Sequence, residues 1–237
     1  MKKNFTILTG ATGDIGYNIL KDLLKNKDYY VIATYKDKKK VNKLKRLKRV
    51  IPYLLDLSSD DEIEKFTKFI NENYKNIKNL INNAGVLIEK DFQKIDQKEW
   101  DYVMQVNLKS PFFLIKNLFK NFTYEANIIN ISSIGGQIGG TKSIHYATSK
   151  AGLTSLTKSF SKLLAKKKIR VISISPGFID TKMHYNKNKN QITKHIPSKK
   201  FGSTKDISNL VTFLLSGKSK YINGTNINID GGYINII

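Results

Sequence analysis

The sequence predicts an α/β fold: a doubly wound parallel sheet of seven strands with helices on both faces. Three observations predict it. Short apolar runs rich in β-branched residues alternate along the whole chain with longer segments of helical period. Parallel neighbours in one sheet require crossover connections, and the intervening helices provide them while covering both faces. The chain of 237 residues is 40% hydrophobic and carries neither an internal repeat nor a Pro/Gly/Ser-rich linker. That apolar content suits one substantial core, so residues 1–237 are read as a single domain.

The first strand is FTIL at 5–8, which leads through the glycine-rich segment TGATGDIG (9–16) into a helix over 15–25. A second strand, YVIA at 30–33, precedes a helix at 41–48. VIPYLL at 50–55 is the third strand, followed by a helix at 61–73. The fourth strand is short and centred on Leu80 and Ile81, and a long helical segment follows over 96–122. NIINI at 127–131 is the fifth strand, with a helix at 146–165 after it, and RVISI at 170–174 is the sixth. A helix at 205–215 and the strand NINI at 226–229 complete the domain. One segment breaks the alternation. Residues 181–198 are polar, asparagine-rich and long for a loop; such loops in compact domains tend to be lids or binding segments, and the stretch at about 181–200 is read as a substrate lid.

With 41 Lys and Arg against 19 Asp and Glu, the formal charge is +22. A basic surface attracts polyanions whatever the fold. Here the lysines are scattered along the chain, and asparagine, isoleucine and tyrosine are abundant too. The charge therefore reads as the solvated surface of a compositionally biased protein, and no nucleic-acid partner is expected. The absence of cysteine excludes a disulfide framework, a thiolate metal site and a cysteine nucleophile. No metal is expected. Glycines and an aspartate break the start of the chain before a signal-peptide core can form, and no apolar run approaches the ~18 residues of a membrane span. The expectation is a cytoplasmic protein with no membrane partner.

A glycine-rich turn between a first strand and a helix lets backbone approach a pyrophosphate, and the helix N-terminus offers free N–H groups. Gly10, Thr12, Gly13, Ile15 and Gly16 are the candidate contacts. At the end of the second strand, where such sites meet the adenosine ribose, ATYKD (33–37) puts Tyr35 or Lys36. Lys36 would welcome a 2′-phosphate, with a hydroxyl from Thr12, and favours NADPH. Asp37 stands one residue on, and a slip of register would bring its carboxylate to the ribose and favour NADH.

Of twelve tyrosines, five have a lysine at i+4: Tyr17/Lys21, Tyr35/Lys39, Tyr74/Lys78, Tyr146/Lys150 and Tyr185/Lys189. Spacing alone selects none of them. Reducing a ketone needs a hydride on carbon from a cofactor and a proton on oxygen from the protein. A free phenol, with a pKa of about 10, exchanges protons poorly at neutral pH, and a cation one helical turn away lowers that value. Tyr146/Lys150 is selected because Ser133 lies about 13 residues upstream, just past a predicted strand, at the carboxyl edge where open α/β sheets bind ligands.

Together, TGATGDIG at 9–16, NNAG at 82–85, Asn107, Ser133, YATSK at 146–150 and PGFIDT at 176–181 resemble the short-chain dehydrogenase/reductase family, in order and over nearly the whole chain. The resemblance is nearest to its 3-oxoacyl-[acyl-carrier-protein] reductases, with FGSTKD at 201–206 opening the last helix and YINGTNINIDGG at 221–232 closing the domain. It implies a Rossmann-like fold, NADPH-dependent reduction of a 3-oxoacyl group in fatty-acid biosynthesis, acyl carrier protein as partner, and a homotetramer. It gives Tyr146 proton transfer, Lys150 the support of the phenolate and of the nicotinamide ribose, Ser133 a hydrogen bond to the substrate carbonyl, and Asn107 the positioning of a water that relays protons to the lysine. Asp56 and Leu57 match the pair that meets adenine. Asn83, Ala84 and Gly85 match the segment along the adenosine ribose, and Pro176, Gly177, Ile179 and Thr181 the one at the nicotinamide carboxamide.

There are departures. Asp14 replaces a family glycine, and its carboxylate is expected to point outward. Gly13 stands where many NADPH-preferring members carry a basic residue, and Ile172 replaces an asparagine. The lid is a few residues shorter than in typical acyl-carrier-protein reductases. A second reading is therefore a short-chain reductase or dehydrogenase of another carbonyl or alcohol, such as a sugar or sugar nucleotide. A non-catalytic nucleotide sensor or nucleic-acid-binding protein on the same scaffold is a third, disfavoured by the presence of Ser133, Tyr146 and Lys150. A rim including Lys120 and Lys166 to Lys168 would suit an acidic carrier protein.

Overall fold

The computed structural model describes residues 4–182 and 188–236. All seven expected strands form: β1 (Asn4–Leu8), β2 (Tyr29–Tyr35), β3 (Val50–Leu54), β4 (Ile77–Asn82), β5 (Phe122–Ile131), β6 (Arg170–Pro176) and β7 (Asn226–Ile229). They make one parallel sheet of order β3-β2-β1-β4-β5-β6-β7. The order reverses between β1 and β4, and the crevice beyond the carboxyl ends of the strands at such a point is where doubly wound sheets bind ligands.

The helices among the described residues are α1 (Asp14–Leu23), α2 (Asn42–Lys45), α3 (Asp60–Asn73), α4 (Gln97–Met104), α5 (Ser110–Leu118), α6 (Gly135–Ile138), α7 (Ile144–Leu163), α8 (Lys189–His195) and α9 (Thr204–Leu215). Consecutive strand residues face opposite sides, so Ile7 and Leu8, Ile128 and Ile129, and Val171 and Ile172 are divided between two cores. Phe66 of α3, Leu114 of α5 and Phe160 of α7 join the first; Ile19 and Leu20 of α1 with Val211 and Leu214 of α9 join the second. Ile172, the departure noted above, is wholly buried in that second core.

The long helix expected over 96–122 is interrupted. A π-helical turn covers Gln105–Lys109, between α4 and α5, and Phe122 already belongs to β5. Pro111 gives the reason: it has no N–H to offer the carbonyl of Asn107 four residues back, so the α-helical ladder cannot run through this point. The Ser110 N–H reaches instead to the carbonyl of Gln105. Such turns occur frequently at functional sites.

Two further differences are local. The helix expected at 41–48 shrinks to the four residues of α2, and α8 forms inside the polar segment 181–198. Residues 183–187, including the tyrosine of the Tyr185/Lys189 pair, lie outside the described residues.

Part of the asparagine excess turns inward. Asn79, Asn82, Asn127 and Asn130 are buried in β4 and β5. Asn79 donates to Thr6 Oγ1 at 2.9 Å, Asn127 donates to Asn79 Oδ1 at 3.0 Å, and Arg170 donates twice to Asn127 Oδ1 at 3.0 and 2.6 Å. Buried polar groups require such partners, so these side chains cross-link strands through the core. Among the described residues no helix is long and apolar enough to cross a membrane, and no three His, Cys, Asp or Glu side chains are grouped so as to hold a metal ion.

Candidate active site

The ends of β1, β2 and β4 open on a cavity of about 390 Å³ lined by Gly10, Thr12, Gly13, Ile15, Gly16, Lys36, Asp56, Leu57, Asn83, Ala84, Gly85 and Thr181, all singled out in the sequence. Gly10 has a φ of +65°, and a Cβ on Gly16 would stand 2.3 Å from the Gly10 carbonyl oxygen. Only glycine permits so tight a turn between a strand and a helix start, the arrangement that takes a phosphate, and Asp14 at the start of α1 also lines the cavity. Asn83 locks the turn from the side. Its Nδ2 donates to the carbonyls of Thr9 and Gly10 at 2.9 and 3.3 Å, while Thr9 Oγ1 accepts the N–H groups of Asn83 and Ala84 at 3.0 Å each.

β2 ends at Tyr35, so Lys36 is the first residue beyond the sheet. Its ammonium bonds Asp56 Oδ2 at 2.8 Å and lies 5.4 Å from the centroid of the Tyr102 ring. Asp56 holds that ammonium above its ordinary pKa. Burial pushes the Asp56 carboxyl up, but the bonds from Lys36 and Ser58 outweigh it and hold the group low. Asp37 lines the same cavity, with its carboxylate engaged in its own turn: Oδ1 accepts the Lys39 N–H at 2.9 Å and Oδ2 lies 3.4 Å from the Lys40 ammonium.

A second cavity, of about 580 Å³, holds Ser133, Tyr146, Lys150, Pro176, Gly177 and Ile179. It shares Ile15, Asn83, Gly85 and Thr181 with the first, and the two form one cleft along the strand ends. Beyond β5 the chain stays beside β6, with the Ser132 N–H on the Ile174 carbonyl at 2.7 Å and the Ile134 N–H on the Pro176 carbonyl at 3.1 Å. Ser133 is thereby presented at the edge. Its Oγ accepts the Gly135 N–H at 3.1 Å and is hydrogen-bonded with the Tyr146 phenol.

Lys150, one turn along α7, is only 4% exposed. Its ammonium donates to the Ile131 carbonyl at 2.8 Å and lies 5.7 Å from the Tyr146 ring centroid. Burial lowers its pKa to about 8. The phenol departs from the sequence expectation. Burial pushes Tyr146 above its ordinary value, and the bond with Ser133 offsets this only in part. In the free protein desolvation thus dominates. A phenol that keeps its proton at neutral pH is nevertheless what a proton donor to a ketone oxygen must be.

Asn107 lines neither cavity. It sits behind Lys150 in the π turn, fully buried, where Nδ2 donates to the Val86 carbonyl at 2.9 Å and to Ser149 Oγ at 3.1 Å while Oδ1 accepts the Val86 N–H at 2.9 Å. Its side chain is spent on holding the chain after β4 against α7. A methyl on Gly85 would stand 3.2 Å from Lys150 Nζ and 3.3 Å from Asn107 Oδ1. Asn107→Ala should lower turnover about 10²-fold by loosening the chain after β4 from α7 while leaving cofactor affinity largely intact, since small misplacements are costly in catalysis; unaltered steady-state turnover would contradict this.

Sequence reasoning missed Lys40 and Tyr102 beside Lys36, and Leu87, Ile138, Phe178 and Tyr233 in the second cavity. Lys40 was hidden in a lysine run and Tyr102 in an amphipathic helix; only the fold brings them to the strand ends. Asp14 lines the first cavity, and its Oδ2 accepts the Lys182 N–H at 2.8 Å.

A family model described as enoyl-(acyl carrier protein) reductase, adh_short_C2, matches residues 10–234. The chain belongs to the short-chain dehydrogenase/reductase family. It is 34% identical to the 3-oxoacyl-[acyl-carrier-protein] reductase of Buchnera aphidicola subsp. Baizongia pistaciae, over 97% of each chain. A solved 4-hydroxyisoleucine dehydrogenase in complex with NADH is 26% identical with a TM-score of 0.91, covering 98% of this chain and 99% of that one. A blue fluorescent protein from a metagenomic library, in complex with NADPH, has the same fold at 22% identity and a TM-score of 0.91, over 97% of each chain. This short-chain dehydrogenase/reductase is accordingly an oxidoreductase that uses a nicotinamide dinucleotide to interconvert a ketone and an alcohol. The glycine cradle, and a first cavity running into a second that holds the phenol, fit such a cofactor.

Proposed function

We propose that the protein reduces 3-oxoacyl groups on acyl carrier protein to 3-hydroxyacyl groups, with NADPH as the hydride source. The observation that carries this reading is the convergence of Ser133, Tyr146 and Lys150 at one strand edge, at the far end of a cleft that begins at the glycine cradle. The bound cofactor supplies the hydride. Ser133 donates a hydrogen bond to the ketone oxygen, Tyr146 delivers its proton to the developing alkoxide, and the Lys150 charge stabilises the phenolate that remains. Gly10, Gly13 and Gly16 hold the pyrophosphate, Asp56 and Leu57 the adenine, Asn83, Ala84 and Gly85 the adenosine ribose, and Pro176, Gly177, Ile179 and Thr181 the carboxamide. The carbonyl of Asn107, freed from the helical ladder by Pro111, holds the relay water.

Preference for NADPH rests on Lys36 and Lys40, with Thr12, around the ribose, and on the engagement of Asp37 in its own turn. The ratio of kcat/KM for NADPH over NADH should exceed about 10. Lys36→Ala should lower it roughly 10- to 100-fold, the worth of a charge-assisted hydrogen bond. A native preference for NADH would contradict the assignment.

Lys120 and Lys166 to Lys168, expected as a rim for an acidic carrier, precede β5 and β6 at the amino ends of the strands, opposite the edge that holds Ser133 and Tyr146, and do not border the cleft; Lys36, Lys40 and Lys142 do, and supply the charge an acidic carrier or its phosphate would meet. The stretch at about 181–200, with α8 in it, is the lid of a single domain, its base held by Asp14. Exposed Leu163 on α7 and Phe112 on α5 support a homotetramer, and the absence of a membrane-spanning helix among the described residues accords with a cytoplasmic enzyme. The direct test is NADPH oxidation with acetoacetyl-acyl carrier protein, compared with a panel of small ketones and sugars; turnover confined to the panel would favour another carbonyl.

A further inference from the structure

We infer that Tyr233 determines substrate specificity, its ring forming the wall against which the acyl chain ends, so that the enzyme takes short 3-oxoacyl chains. The inference deepens the reductase reading and rests on it. Tyr233 lines the cavity that holds Ser133 and Tyr146, together with Ile138 and Phe178, and none of these three lines the adenosine cavity. The wall is built from three segments distant in sequence. Tyr233 meets Phe178 edge-on, with centroids 5.3 Å apart and planes at 81°, and Phe178 meets Phe201 at 5.8 Å.

The backbone beneath the ring is fixed. Asp230 accepts the N–H groups of Gly232 and Ile234 at 3.0 and 2.9 Å, and the Gly231 carbonyl accepts the Ser198 N–H at 3.1 Å. Gly231 has a φ of +65°, and a Cβ there would stand 2.3 Å from Ser198 Oγ. A turn held this way cannot swing to admit a longer chain. The chemistry of the wall also selects: Ile138, Phe178 and Tyr233 offer apolar surface, while the charged lining, Glu89, Lys142 and Lys150, comes from the chain after β4, the turn before α7 and α7 itself. An alkyl substituent fits the former and a polyhydroxylated one does not.

The test is kcat/KM with NADPH for a series of 3-oxoacyl thioesters of N-acetylcysteamine with four to ten acyl carbons. The native enzyme should favour the four-carbon member. In Tyr233→Ala the ratio of the eight- to the four-carbon substrate should rise at least about tenfold. Four added methylenes, each worth roughly fourfold when buried, leave that rise well within reach. Tyr233→Phe should keep the native profile, since the ring and not the hydroxyl forms the wall. Tyr233→Leu, which keeps most of the apolar contact, should show a smaller rise and gives the answer if the alanine protein does not fold. An unchanged chain-length ratio in both Tyr233→Ala and Tyr233→Leu, or equal loss at every length, overturns the wall alone. Native protein that turns over no member of the series overturns the reductase reading and the wall with it.

Discussion

Tyr146→Phe should lower kcat by about 10³ or more while leaving the affinity for NADPH within a few-fold of native. The phenol is the group in the second cavity that combines a transferable proton with a hydrogen bond to Ser133, and positioned proton donors contribute roughly 10²- to 10⁴-fold. Phenylalanine keeps the ring and its packing while removing only the oxygen. The outcome is therefore read by measuring kcat and, separately, the dissociation constant of NADPH by fluorescence. A variant that turned over at the native rate would show that the proton comes from elsewhere.

Replacing Lys150 by Met should cost a comparable factor, about 10³, together with weaker cofactor binding. Its ammonium is the cation closest to the phenol ring among those described, buried on a carbonyl with no acidic partner recorded beside it. In so poorly solvated a place a charge acts strongly on its neighbours. The same burial sets a pH limit. Because the amine titrates near 8, the charge is present below that value and is lost as pH rises through it. Native kcat/KM for the cofactor, which reports ionisations of the free enzyme, should be level below about pH 7 and fall with increasing slope above pH 8. Lys150→Arg, which stays charged across this range, should lose the alkaline fall even though its planar fork fits badly and the rate is lower. A native profile that rose steadily from pH 7 to 10 would contradict this account of the lysine.

The sequence shows which parts of such a protein are legible. Alternation at Ile7/Leu8 and Ile128/Ile129 reports directly which strand residue faces which helix layer, and the turn at Gly10 to Gly16 is readable because only glycine permits it. Tyr146 and Lys150 are legible through their offset from Ser133, a relation fixed by where β5 ends. Other features depend on contacts between distant segments and leave no local mark. The break at Asn107 is an example: the helical period continues past Pro111 and conceals the π turn. Asn79 and Asn127 read as solvent-facing and are buried, and the sequence conceals this because their partners Thr6 and Arg170 are far away in the chain. Tyr102 and Tyr233 reach the cleft only through the fold. The raised pKa of Tyr146 was likewise beyond the sequence, which indicates a neighbouring lysine but not the depth of burial that opposes it.

The most direct test of the central claim is the rate of NADPH oxidation by the purified protein with acetoacetyl-acyl carrier protein, run beside crotonyl-acyl carrier protein, whose carbon–carbon double bond an enoyl reductase would take. The arrangement of Ser133, Tyr146 and Lys150 around a ketone oxygen requires oxidation with the first substrate, formation of the 3-hydroxy product, and none with the second. Oxidation with the crotonyl carrier alone, or with neither, would contradict it.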